Sequence, residues 1–145
     1  MPDDDDKTVL MVDDDAEDCM LATEAFRESG VKAAFSCVGN VVELTNYLSE
    51  YLAARGARRL PDLILLDLNM PKKDGRAALV EIKSAPALQH IPIVILTTSQ
   101  EQKDIAFTVK NGAESFITKP ATFDEWVEIM RSLAEGWLER QADES

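Results

Sequence analysis

Five charged or hydroxyl side chains follow short apolar runs at widely separated points of this chain. They are Asp13, Asp14, Asp67, Thr97 and Lys119. Short apolar runs are typical of the buried strands of a parallel sheet. The carboxyl ends of such strands lie at one edge of the sheet, where folds of this kind bind their ligands. We therefore expect three carboxylates, a hydroxyl and an ammonium group to meet in one site.

The expected site has the composition of a phosphoryl-transfer centre. Neighbouring carboxylates repel one another, and a divalent cation with oxygen ligands relieves that repulsion. Mg²⁺ suits such a site because it keeps several waters and accepts phosphate oxygens. Lys119 adds a second positive charge, so the site is predicted to hold a phosphoryl group. Asp67 follows the most apolar run, and its carboxylate is expected to attack phosphorus and form an acyl phosphate.

The elements that must position these residues alternate along the chain. Predicted strands cover residues 9–12, 33–38, 63–66, 91–96 and 115–118. Predicted helices cover residues 16–28, 41–55, 77–83, 100–110 and 123–140. This alternation predicts an α/β fold in which helices cover both faces of a five-stranded parallel sheet.

Two predicted helices carry apolar residues of interest. The last helix has a stripe at helical spacing: Trp126, Met130, Leu133 and Trp137. The first three are expected to pack in the core, and Trp137 is a candidate for a partner surface. In the fourth helix, Ile105 and Phe107 lie about 200° apart, so one of them is expected to leave apolar surface exposed.

Composition excludes several classes of protein. The chain has 145 residues, of which 46% are hydrophobic, so it can bury a core and is not disordered. Its 27 acidic and 15 basic residues give a net charge of −12, which opposes nucleic-acid binding. The sequence has neither an apolar run of about 18–20 residues, as a membrane span needs, nor a secretory signal.

Two features bear on location and boundaries. Cys19 and Cys37 lack the spacing of a metal or redox motif, so reduced thiols in the cytoplasm are expected. Residues 1–7 include the sequence DDDDK and are expected to form an acidic tail, either native or left by removal of a fusion tag.

Four motifs, in this order, resemble the receiver domain of two-component response regulators: VDDD at 12–15, LLDLNMPKKDG at 65–75, LTTS at 96–99 and FITKP at 116–120. The resemblance covers residues 8–140 and leaves 141–145 as a C-terminal tail. It implies a flavodoxin-like, doubly wound sheet with strand order 2-1-3-4-5 and five helices. The stretch RLPDLILLDLNMPKKDGR at 59–76 is most similar to single-domain regulators that partner phytochromes.

The resemblance also implies a function and a metal site. The protein would accept a phosphoryl group from a sensor histidine kinase on Asp67 and signal by contact with other proteins, without a further output domain. It would catalyse only its own phosphorylation and dephosphorylation. The Mg²⁺ ion would be held by Asp13, Asp14, Asp67 and the backbone carbonyl of Asn69. A homodimer through the fourth helix, fifth strand and fifth helix would fit the family.

Further roles follow from the matched motifs. Thr97 would be the switch hydroxyl and Phe116 the switch aromatic, although phenylalanine lacks the hydroxyl that tyrosine carries in many relatives. Lys119 would pair with the phosphoryl group, and the bond from Lys119 to Pro120 is expected to be cis. Asn69 and Ser99 would tune hydrolysis of a transient acyl phosphate.

Two alternative functions stand beside these interpretations. The protein could be a receiver-like docking module that is never phosphorylated, but the complete set of site residues argues against it. It could be a small enzyme on a similar fold, either a flavin carrier or an aspartate phosphatase. Acids occupy the place of a flavin phosphate loop, and Asn69 stands where such a phosphatase needs a second aspartate.

Asp15, Glu17 and Asp18 are interpreted only as acids that favour a helix N-terminus.

Overall fold

The computed structural model describes residues 7–53, 60–70 and 75–138. Several predictions fall outside those ranges. They concern residues 1–6 and 141–145 of the predicted tails, residues 54–55 and 139–140 at the ends of the second and last predicted helices, and residues 71–74 of the second motif.

The described elements alternate as the sequence predicts. Strands β1 to β5 cover Thr8–Val12, Ala34–Val38, Leu63–Leu66, Ile93–Thr97 and Ser115–Thr118. Helices α1 to α5 cover Ala16–Glu28, Val41–Ala53, Gly75–Ser84, Gln102–Lys110 and Phe123–Leu133. A π-helical segment, Ala134–Leu138, continues α5. Each element begins within two residues of its predicted start, which is the usual uncertainty at element ends.

The five strands form one parallel sheet in the order β2-β1-β3-β4-β5, which confirms the predicted flavodoxin-like fold. β1, β3 and β4 occupy its centre, and every residue of these strands is buried. Their aliphatic side chains therefore pack on both faces of the sheet. Val12 of β1 pairs with Leu66 of β3, and this register brings the ends of the two strands side by side.

Two apolar layers separate the sheet from its helices. On one face, Phe26 of α1 and Trp126, Met130 and Leu133 of α5 pack against β1, β3 and β4. This confirms the core stripe predicted for the last helix, while Trp137 is half-buried against the same layer. On the other face, α2 and α3 supply the covering side chains, among them Leu44, Leu48, Leu79 and Ile82.

Helix α4 differs from the other helices because its buried residues are Asp104 and Thr108, both polar. Ile105 and Phe107 are each half-buried, so the prediction that one of them is exposed is wrong. At about 100° per residue, Ile105 and Phe107 lie on either side of the buried Asp104 and Thr108, so each is partly covered. Val109 is a large apolar residue of α4 that faces solvent, with 66% of its surface exposed.

The expectation of a cis bond between Lys119 and Pro120 is also wrong, because the described residues contain no cis peptide bond. The trans isomer is the more stable one for a residue before proline.

The expectation of two reduced thiols is contradicted as well. Cys19 of α1 and Cys37 of β2 form a disulfide, with their Cα atoms 6.1 Å apart. Cys37 pairs with Met11 in the sheet, and α1 returns Cys19 to the same region. The proximity thus arises from the fold, and the spacing of the cysteines along the chain does not reveal it.

Among the helices that the structure describes, none combines the length and the apolar character that a membrane crossing requires.

Candidate functional site

The backbone continues to pair beyond the strands and thereby fixes the residues that follow them. The amide of Asp13 donates to the carbonyl of Val38 at 3.0 Å, and that of Asp67 donates to Val12 at 3.1 Å. The amide of Lys119 donates to the carbonyl of Thr97 at 2.8 Å. These side chains therefore emerge at the carboxyl edge of the sheet, as the sequence predicts.

Three carboxylates cluster at this edge. One oxygen from each of Asp13, Asp14 and Asp67 lies within 4.8 Å of the others. Asp13 and Asp67 are only 1% and 5% exposed, whereas Asp14 faces solvent. Asp13 Oδ1 accepts a hydrogen bond from the amide of Asp15 at 2.9 Å, which orients the carboxylate.

The other oxygen of Asp13 shows that the cluster fits a cation. Asp13 Oδ2 is fully buried and has no hydrogen-bond donor among the described residues. Its close neighbour is the Lys119 ammonium, at 2.7 Å, in an ion pair that lacks the angles of a hydrogen bond. Lys119 supplies one positive charge against the three carboxylates of the cluster, so a bound cation would offset negative charge that Lys119 leaves uncompensated. The oxygens of Asp13, Asp14 and Asp67 are the ligand type that hard divalent cations prefer.

Lys119 lies at the centre of the acidic cluster. Its ammonium nitrogen is 2.7 Å from an oxygen of Asp13, 2.7 Å from one of Asp18 and 3.3 Å from one of Asp67. Burial alone would lower the pKa of Lys119, but the hydrogen bonds and charges of these carboxylates outweigh it and raise the pKa above its usual range. The lysine is therefore a permanent positive charge at the site.

The pKa of Asp13 is also raised, but here burial is the main cause. Burial raises its pKa from 3.8 to about 6, although Lys119 opposes that shift. The negative charge of Asp67 raises it further. Ionised Asp13 is thus unfavourable in this site as it stands, and a bound cation would relieve the cost.

Asp18 is a site residue that the sequence analysis missed. Its carboxylate accepts a hydrogen bond from Lys119 at 2.7 Å. The interpretation of Asp15 is correct, because Asp15 caps α1 and accepts hydrogen bonds from the amides of Glu17 and Asp18. A signal for Asp18 was available, since an acid in the first turn after a strand-end acid lies near the same edge of the sheet.

Thr97 and Asn69 lie together beside the acids. The Asn69 amide group donates to the Thr97 hydroxyl at 3.4 Å, and the backbone amide of Ser99 donates to the same oxygen at 3.4 Å. The backbone amide of Asn69 donates to Asp67 Oδ1 at 3.2 Å. Thr97 is fully buried, and the predicted switch aromatic, Phe116, is half-buried.

Gly75 supports the backbone of the central acid. Its amide donates to the carbonyl of Leu68 at 3.1 Å, and a Cβ atom at this position would collide with the carbonyl oxygen of Asp67. Only glycine allows α3 to start this close to the strand end. The glycine that ends the second motif, LLDLNMPKKDG, is therefore required for steric reasons.

The site residues match a known family. The model of the "Response regulator receiver domain" family matches residues 9–131. The response regulator Rcp1 of Synechocystis is 32% identical over 133 residues, which are 92% of this chain and 90% of Rcp1.

Solved structures are similar over almost the whole chain. The phosphorylated cyanobacterial phytochrome response regulator RcpA has a TM-score of 0.80 at 40% sequence identity. The matched region is 91% of this chain and 94% of the RcpA chain. The Mn²⁺-bound form of Rcp1 has a TM-score of 0.79 at 32% sequence identity. The matched region is 92% of this chain and 95% of the Rcp1 chain.

Proposed function

Because the chain belongs to the response regulator receiver domain family, whose members are phosphorylated on aspartate, we propose that its own phosphoacceptor is Asp67. The phosphoryl donor is a sensor histidine kinase, and the output is contact with another protein. One observation carries this assignment: the buried carboxylate of Asp67 lies 3.3 Å from the Lys119 ammonium, in a cluster with Asp13 and Asp14.

The chemistry is a phosphoryl transfer between side chains. An oxygen of the Asp67 carboxylate attacks the phosphorus of a phosphohistidine. The new O–P bond forms as the N–P bond breaks, and the imidazole nitrogen leaves and takes up a proton. Lys119 stabilises the charge on the phosphoryl oxygens, because three neighbouring carboxylates keep it protonated in spite of its burial.

We infer that the divalent cation is Mg²⁺, held by Asp13, Asp14 and Asp67 together with the backbone carbonyl of Asn69. Two features support this set: the buried oxygen of Asp13, whose ion pair with Lys119 lacks hydrogen-bond geometry, and the spacing of the three carboxylates. The Mn²⁺-bound structure of Rcp1 supports a divalent cation. When bound, the ion supplies positive charge that lets an anionic donor approach the acidic cluster and that offsets charge in the transition state.

The remaining roles concern signalling. Thr97 is the switch hydroxyl, which exchanges its contact with Asn69 for a phosphoryl oxygen, and Phe116 is the switch aromatic. The receiver catalyses only its own phosphorylation and dephosphorylation. We propose that its domain comprises residues 8–140; the family match over residues 9–131 supports most of this extent.

The partners are narrower proposals. The similarity to RcpA supports a phytochrome as the kinase, and membership of the response regulator family supports a cytoplasmic location. A homodimer through α4, β5 and α5 would use the exposed Val109 and the half-buried Trp137. The net charge of −12 supports proteins and not nucleic acids as partners.

A mass measurement tests the proposed acceptor. The protein is incubated with acetyl phosphate and Mg²⁺, and its intact mass is followed by mass spectrometry. The wild type should gain one phosphoryl group and Asp67→Asn none. Asp62→Asn, just before the opposite end of the same strand, is the matched control and should behave as the wild type. A wild type that gains no mass would refute the proposal and favour the unphosphorylated docking module.

A further inference from the structure

Asp18 adds to the acidic cluster a carboxylate that has no role in the phosphoryl transfer described above. Its Oδ2 oxygen accepts a hydrogen bond from the Lys119 ammonium at 2.7 Å. Asp67 Oδ2 accepts from the same nitrogen at the longer distance of 3.3 Å. The side chains of Lys119 and Asp18 are mostly shielded from solvent, at 8% and 21% exposed. Among the described residues, the shortest hydrogen bond of this ammonium is therefore to Asp18 and not to the proposed phosphoacceptor.

The backbone on both sides of Asp18 fixes its side chain in this position. Asp15, which caps α1, accepts a hydrogen bond from the amide of Asp18 at 3.2 Å. The next residue, Cys19, is joined by the disulfide to Cys37 of β2. The first turn of α1 is thus attached to the sheet beside Asp18, so its carboxylate can serve as a fixed acceptor for the longer and more flexible lysine side chain.

Charge alone gives no reason for an acid at this position. Three carboxylates of the cluster already face the single positive charge of Lys119. A fourth carboxylate makes the site more negative and opposes the approach of an anionic phosphoryl donor. The helix N-terminus is served equally well by Glu17, an exposed acid in the same turn. The contact of Asp18 with Lys119 is the feature that can offset this repulsion.

Phosphorylation of Asp67 changes what Lys119 can contact. The carboxylate loses its negative charge when one of its oxygens bonds to phosphorus, and the charge then lies on the phosphoryl oxygens. The hydrogen bond from Lys119 to Asp67 weakens as a result. Asp18 is not among the three acids that could hold a metal ion, and it does not react, so its hydrogen bond can persist. An ammonium has three N–H donors, which allows it to keep Asp18 and turn another donor to a phosphoryl oxygen.

We propose that Asp18 is a positioning residue that holds the Lys119 ammonium in place for the phosphoryl group during its transfer to Asp67. This inference rests on the proposed phosphorylation of Asp67. With acetyl phosphate as the donor, an oxygen of the Asp67 carboxylate attacks phosphorus as the bond from phosphorus to the acetate oxygen breaks, and acetate leaves. Asp18 takes no part in these bond changes and gives up no proton. It acts only through Lys119.

The first test is the rate of phosphorylation by acetyl phosphate in the presence of Mg²⁺, followed by intact mass. Asp18→Asn keeps the size of the side chain but removes the charge that holds the ammonium, so the rate should fall about fivefold. If Asp18 contributed only negative charge, the same variant would be phosphorylated faster, because the donor would be repelled less. Asp18→Glu retains the charge and should restore the rate to within about twofold of the wild type.

Glu17→Gln is the matched control. Glu17 is exposed in the same turn of α1, and this variant loses the same charge as Asp18→Asn. Its rate of phosphorylation should equal or slightly exceed that of the wild type. An equal slowing by Glu17→Gln would assign the effect to the helix or to net charge and would overturn the proposal.

A double variant tests whether Asp18 acts through the lysine. In the Lys119→Met background, Asp18→Asn should cause no further slowing of phosphorylation, because the ammonium that it positions is gone. A further slowing as large as that in the wild-type background would overturn the proposal.

The second test needs neither donor nor metal. A lysine ammonium gives a resolved signal in a proton–nitrogen correlation NMR spectrum when hydrogen bonds and burial slow the exchange of its protons with water. In EDTA, the wild type should show such a signal for Lys119, identified by its loss in Lys119→Met. The signal should broaden beyond detection in Asp18→Asn and persist in Glu17→Gln. An unchanged signal in Asp18→Asn, or a wild type without one, would overturn the proposal.

Circular dichroism checks that each variant is folded. Should Asp18→Asn fail to fold, Asp18→Ala replaces it with the same expectations. A wild type that takes up no phosphate would refute the proposed function itself. A phosphorylated wild type, with an Asp18→Asn rate equal to or above its own, would refute only this inference.

Discussion

Replacing Asp13 by asparagine should stabilise the metal-free protein. Burial raises the pKa of Asp13 to about 6 from its ordinary value of 3.8, so its ionised form is disfavoured in the fold. At about 1.36 kcal/mol per pH unit, this difference corresponds to about 3 kcal/mol. The site opens to solvent at Asp14, and screening there reduces the expected gain to about 1–2 kcal/mol. For a chain of this length, that is a rise in Tm of about 3–6 °C.

The gain should depend on pH in a defined direction. Because the pKa of Asp13 is higher in the folded protein, the folded state binds this proton more tightly than the unfolded state. The wild type therefore loses stability as the pH rises from about 4 through about 6, and asparagine does not. The difference in Tm between Asp13→Asn and the wild type should be full at pH 7.5 and nearly absent at pH 4.

The assay is thermal unfolding followed by circular dichroism, with EDTA present. Asp104→Asn is a control with the same change of charge, but it should be destabilising at pH 7.5, because Ser99 and Arg76 lower the pKa of Asp104. Saturating Mg²⁺ should then stabilise the wild type more than Asp13→Asn. An Asp13→Asn protein no more stable than the wild type in EDTA at pH 7.5, or one with an equal gain at pH 4, would refute this reasoning.

Three other perturbations have expected outcomes. Gly75→Ala should yield little folded protein on expression, since its Cβ atom collides with the backbone of Asp67, whereas Arg76→Ala at the next position should yield soluble protein. A dithiol reductant should lower the free energy of unfolding, measured in urea, by about 3 kcal/mol, because the disulfide joins residues 18 apart. The Cys37→Ser variant has no disulfide, so an equal loss of stability in that variant on addition of the reductant would contradict this reasoning. Met130→Ala should cost about 2–5 kcal/mol in the same urea titration, against less than about 0.5 kcal/mol for the exposed Met20→Ala.

The strand ends were predictable because parallel topology converts sequence order into spatial proximity. An apolar run that stops at Asp13 or Asp67 determines both the strand and the edge at which the carboxylate emerges. Lys119 was predictable for the same reason. The strand order and the roles of Thr97, Phe116 and Asn69 came from the family resemblance. The chemistry of each of these residues taken alone does not reveal its role.

The missed features depend on contacts between distant segments. Asp18 and Asp104 are acids on helices, where a charge is usually solvated, and only the packing of α1 and α4 turns them towards Lys119 and Arg76. The disulfide has the same origin, because Cys37 lies on a different element from its partner. Asp104 and Thr108, both polar, form the buried face of α4. The expectation that Ile105 or Phe107 is exposed assumed an apolar buried face, and it was therefore wrong.

Chemical trapping of the acyl phosphate tests the central claim most directly. The protein is phosphorylated with acetyl phosphate and Mg²⁺, reduced with borohydride, and mapped by tandem mass spectrometry of its peptides. Borohydride converts an aspartyl phosphate to a primary alcohol and leaves free carboxylates intact. The alcohol should be found at position 67 and at no other aspartate. Its appearance at position 13, 14 or 104 instead, or its absence from every peptide, would contradict the account.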